Sequence, residues 1–110
     1  MASFTRREIE KLRGLCELAL ARELNHDLHH VVSACNEFRA GRIDEIDLDE
    51  TVRDYVQGTS TRVRARYEDL APEVAVARAL AMGFLEASEV PSGLSKKLEK
   101  SVAALKQVLI

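Results

Sequence analysis

The chain has 110 residues, of which 46% are apolar and 31% charged, with a formal net charge of −2. That length suits one domain, here residues 1–110, and that balance describes an ordinary globular chain rather than a disordered or membrane-spanning one. The near-neutral charge argues against a general nucleic-acid binder, and no apolar run approaches the roughly 20 residues of a membrane span.

Only five aromatic residues occur (Phe4, Phe38, Tyr55, Tyr67 and Phe84), so the core has to be built from Leu, Val, Ile and Ala. The expected fold is all-α: a small bundle of four to five helices with a long N-terminal helix. Thr5 and Glu8 have capping-box spacing, and Phe4 and Ile9 stand where a hydrophobic staple would. Apolar residues then recur in steps of three and four at Ile9, Leu12, Cys16, Leu20, Leu24, Leu28, Val31, Cys35 and Phe38, one face of a helix. Gly41 supplies a stop. Continuous, such a helix would be on the order of 50 Å long, more than a compact chain of this size can cover. Either it breaks at Asn25-His26-Asp27, or it protrudes and packs on a second copy. The apolar phase crosses Asn25 unbroken, which favours the continuous helix and a homodimer. In an antiparallel dimer crossing near His26, Cys16 of one copy would lie beside Cys35 of the other.

Asp47 and Glu50 suggest the cap of a second helix ending near Gln57, with Gly58 as stop and Val52, Tyr55 and Val56 facing inward. Thr59-Ser60-Thr61 would cap a third helix to about Leu70, burying Val63 and Tyr67. Pro72 at the first turn and Gly83 at the end frame an Ala-rich helix that is apolar on most faces and so is the most buried. Pro91 or Ser92 opens the last helix, with the stripe Leu94, Leu98, Val102, Leu105 and Leu109. Residues 43–58 carry six acids against Arg53, a balance of −5, and residues 91–110 carry four lysines against Glu99, a balance of +3. These read as two solvated faces leaning toward each other within the fold.

Two groupings could carry chemistry. Glu23, His26, Asp27 and His30 lie at i, i+3, i+4 and i+7, on one side of a helix. Carboxylate and imidazole form a ligand set for a divalent metal, and Glu-x-x-His spacing occurs in di-iron bundles. The same four also make an ordinary charged helix face. Glu23 and Asp27 nevertheless fall inside the apolar arc, where a carboxylate needs a partner, a metal or a break in the helix. The second grouping is Arg62, Arg64 and Arg66 behind three hydroxyl residues, where a phosphate or nucleic acid could meet a helix N-terminus. Only Arg62 and Arg66 share a face.

No nucleophile with an adjacent base is present and no catalytic residues or bound cofactor are expected, beyond the possible divalent metal. Cys16 and Cys35 read as small buried hydrophobes in a reducing compartment, which suggests the cytoplasm. The composite expectation is a non-enzymatic protein-interaction or assembly module, self-associating through its N-terminal helix and open to another protein partner. Metal binding and phosphate binding are the alternatives.

Overall fold

The computed structural model describes residues 3–109, and these are helical without any strand. Helix α1 runs unbroken from Arg6 to Arg39. Its start is the anticipated capping box: the Thr5 hydroxyl accepts from the Glu8 amide at 3.1 Å, and the Glu8 carboxylate accepts from the Thr5 amide at 2.9 Å. Its end is set by Gly41, whose φ of 76° lies in the left-handed region that favours glycine. At 1.5 Å per residue the helix is about 51 Å long. It sets the long dimension of a molecule measuring 54 × 23 × 22 Å. The radius of gyration is 17.2 Å, against about 13 Å for a compact chain of this length.

The rest of the chain folds back along α1 in two unequal halves. Helix α2 (Glu45–Asp54) packs on the C-terminal half of α1. A π-helical turn (Tyr55–Ser60) joins it without interruption to α3 (Thr61–Asp69). Helices α4 (Pro72–Met82) and α5 (Ser92–Leu109) pack against each other, and α4 also packs on α1. The core therefore sits at the N-terminal end: Leu12, Leu15 and Ala19 of α1 close on Val76, Ala79, Leu85, Val90, Leu94 and Leu98. Helix α4 is the most enclosed, with Ala75, Val76, Ala77 and Ala79 buried. Gly83 ends it at φ 85°.

Four expectations are corrected here. Asp44, not Asp47, caps α2, with Asp47 as its reciprocal partner. Gly58 is no stop: its φ is not positive, and the chain stays helical through it. The wide turn leaves the Val56 carbonyl to accept the Thr61 hydroxyl at 2.9 Å, a side chain closing a gap in the helical ladder. Thr59-Ser60-Thr61 therefore caps nothing, because Ser60 already has helical angles (φ −60°, ψ −45°). Finally, the −5 and +3 segments do not lean together: α2 rests on the C-terminal half of α1, while α5 rests on α4 at the other end.

Candidate functional site

The polar centre of the molecule lies where α1, α3 and α4 meet, and Glu23 is its hub. The buried stripe of α1 runs Leu12, Leu15, Ala19, Glu23, in steps of three and four, so the helical period itself carries a carboxylate into the core. Glu23 is 5% exposed, the one buried charged residue among those described. Its Oε1 accepts from the Tyr67 hydroxyl and from Arg78, both at 3.0 Å, and its Oε2 accepts from Arg66 at 2.8 Å. Both oxygens are thus engaged, and the hub ties three helices together. Burial, then the charge of Glu23, pushes the Tyr67 phenol above its usual value, so it remains a donor. A second brace lies one residue away on α1. Arg22 pairs with Glu89 through two bonds at 2.6 and 2.7 Å and also donates to the Phe84 carbonyl at 3.0 Å. That guanidinium, with the Glu86 amide, holds the Glu89 carboxyl down at about 2.

These braces separate the residues that were grouped from sequence. Glu23 lies beneath α3 and α4. His26, one turn on, lies past the end of α4, its ring edge-on to Phe84 at 6.2 Å and beside Met82 and Gly83. His26, Asp27 and His30 line an open groove with Thr51, Asp54, Tyr55 and Thr59, beside the π-helical turn. Among the described residues no three His, Cys, Asp or Glu side chains converge on a point where a metal could sit. The structure does not bring the expected quartet together, and Glu23 is engaged elsewhere. A carboxylate already accepting from two guanidinium groups and a phenol has its charge met and most of its roughly four acceptor sites filled.

The arginine grouping divides likewise. Arg66 turns inward to Glu23, Arg62 is exposed, and Arg64 lies over a shallow surface with Cys16, Glu17 and Tyr67. Because α3 continues from the π-helical turn, the open helix N-terminus that would have received a phosphate is not formed. Cys16 donates its thiol to the Pro72 carbonyl at 3.5 Å, and burial, then the charges of Glu73 and Glu17, push its pKa up. It stays a thiol at neutral pH, a poor nucleophile.

Sequence reasoning missed Arg78, Arg22 and Glu89. Arg78 had a legible signal: it is the single charge between Val74 and Met82, in the segment expected to be most buried. A lone charge there needs a counter-charge, and Glu23 was its mirror image on α1. Arg22 and Glu89 are 67 residues apart in sequence, and no pattern pairs them.

Away from the polar centre the surface is least complete. From Leu24 onward α1 has no buried residue, and neither α2 nor the π-helical turn has any. Leu48 and Thr51 of α2 and Tyr55 of the π-helical turn are half-buried, leaving Val52 39% and Val56 56% exposed rather than inward as expected. Helical phase puts them on the same edge as Leu28 (38%) and Val32 (54%), opposite the His26–Asp54 groove. No helix among the described residues is long and apolar enough to cross a membrane. Comparison with known protein families, curated proteins and solved structures returned no match for this chain.

Proposed function

We propose that this chain is a non-enzymatic assembly module of the cytoplasm that self-associates into a homodimer through its N-terminal helix. One observation carries the reading: the distal half of α1 and the whole of α2 form a projecting two-helix arm with no fully buried residue. A pair of helices draws its stability mainly from the apolar face it buries, and this pair buries little by itself. Apolar residues at Leu28, Val32, Val52 and Val56 instead face outward along one edge. A second copy laid on that arm would give it the missing half of its core. The thiols of Cys16 and Cys35, both on α1, fit a reducing compartment.

The polar centre supports a scaffold rather than a catalyst, since Glu23, Arg66, Arg78 and Tyr67 satisfy one another. Sedimentation across micromolar to millimolar protein tests the proposal. A dimer whose population grows with concentration is expected, and a monomer throughout that range would overturn it.

A further inference from the structure

The outward side of α1 carries a second apolar pattern, distinct from the stripe that builds the core. Leu18, Ala21, Asn25, Leu28, Val32 and Cys35 follow one another at spacings of three, four, three, four and three. That is the 3.5-residue repeat of coiled-coil a and d positions, held over two and a half heptads. Leu18 and Leu28 are each 38% exposed and Val32 54% exposed, and Ala21 and Asn25 are exposed as well. Among the described residues no element covers it from Leu18 to Val32, and Cys35, half-buried at the margin of α2, closes it.

We propose that a second copy of this chain covers it, packing α1 against α1 in the antiparallel sense with the crossing at Asn25. The proposal rests on the self-association reading above and adds its surface and its direction. Two features select the occupant and the orientation.

The first is self-complementarity. Leu18 and Val32 stand seven residues to either side of Asn25, so a two-fold axis there places each against the other's counterpart. Ala21 then comes within one residue of Leu28 of the second copy, small against large, as interdigitating layers require. Gly14 likewise comes within one residue of Cys35 of the second copy, and the space around Gly14 is open. Asn25 meets itself, a polar pair of the kind that fixes register in such seams at some cost in stability.

The second feature is charge. Residues 43–58 at one end of α1 carry −5. At the other end, residues 1–15 carry four bases against two acids, +2. The antiparallel arrangement lays the acidic arm of each copy along the basic end of the other. A parallel one would stack like on like, which disfavours that pairing.

The native thiols report direction. Two copies of Cys35 would be neighbours in a parallel seam but about 30 Å apart in the antiparallel one, at 1.5 Å per residue, far beyond the roughly 7 Å that a disulfide allows. The experiment combines sedimentation with mild oxidation and mass-spectrometric mapping of crosslinks. It uses the native chain, Leu28→Glu, Val32→Glu, the pair together, and Gly14→Cys. Placing a glutamate in the seam should raise the dissociation constant by about a hundredfold or more, with an unchanged far-UV spectrum because both positions are exposed. Gly14→Cys should crosslink position 14 of one copy to Cys35 of the other, while the native chain gives no Cys35–Cys35 bond. The native dimer should weaken as salt rises, through screening of the end-to-end charges. A dimer indifferent to both glutamates together would overturn the seam and leave self-association standing. A Cys35–Cys35 crosslink in the native dimer would overturn the direction alone. A monomeric native chain would overturn both readings.

Discussion

Glu23→Ala is the substitution from which the fold should suffer most. It removes the acceptor of three donors at once: Arg66, Tyr67 and Arg78. The side chain of Arg78 is only 13% exposed, so it cannot reach water without moving α4, whereas that of Arg66, at 37%, can turn outward. Breaking a buried pair by deleting one partner costs about 3–5 kcal/mol, mostly the penalty of the charge left behind. Unfolding entropy of roughly 2.1 cal/mol/K per residue gives about 0.23 kcal/mol/K for this length, so the melting temperature should fall by about 13–22 °C. Arg78→Ala should cost less, because Glu23 keeps Arg66. Thermal melts followed by far-UV circular dichroism, run as a double-mutant cycle, would give a coupling of about 0.5–3 kcal/mol between the two positions. Glu23→Leu with Arg78→Met should restore much of the loss, since apolar replacement of both charges removes the desolvation problem. A Glu23→Ala variant destabilised by less than about 1 kcal/mol would refute the hub as a buried, mutually satisfied cluster.

Three further outcomes follow from the same geometry. Glu89 has its carboxyl held at about 2 by Arg22, so its stabilising pair is fully present above the unfolded value of roughly 4.3 and is lost as pH falls toward the folded one. The stability gap between native protein and Glu89→Gln should therefore be constant above about pH 5 and close toward pH 2. A gap that widens in acid would contradict the pairing. Gly58→Ala should stabilise by about 0.5–1 kcal/mol, as alanine does within a helix, and Gly83→Ala should destabilise by about 1 kcal/mol or more, because its φ of 85° is costly for alanine. Denaturant titrations would measure both, and a destabilised Gly58→Ala would restore that glycine as a stop. Cys16, with its thiol raised in pKa and bonded to the Pro72 carbonyl, should resist alkylation in the native state and react once unfolded; rapid native labelling mapped to Cys16 would oppose its placement.

Caps and glycines at the helix ends were legible because each acts on its immediate neighbours. Thr5 with Glu8, Gly41, Pro72 and Gly83 all do what their local chemistry dictates. Gly58 misled for the same reason. Alone it reads as a stop, yet the helical run on either side of it continues through a widened turn, with Thr61 bonded back to Val56. Glu23 was half legible: its place in the apolar arc demanded a partner, and the demand was right. Which partner was not in the helix itself. A metal and a guanidinium answer the same electrostatic need, and only the packing of α3 and α4 over that turn supplies Arg66 and Arg78.

The single apolar stripe read along α1 proves to be two, and the reason bears on how the helix works. In its first half the buried face is Leu12, Leu15, Ala19 and Glu23, against α4 and its neighbours. In its second half the residues half-buried toward α2 are Leu24, Asp27, Val31, Ala34 and Phe38, with Cys35 at their margin. At 100° per residue the second face is rotated by roughly a quarter-turn from the first. One helix thus serves two sets of partners in succession, and a residue such as Leu28 satisfies the period of the whole stripe while remaining 38% exposed. Rotating the buried face also frees a strip on the far side, running from Leu18 to Val32 with no charged residue at its repeating positions. Had that strip evolved only to meet water, nothing would hold its larger positions to Leu and Val at alternating steps of three and four. Under the proposed self-association that regularity would be matched by a second α1, which has the same period by construction.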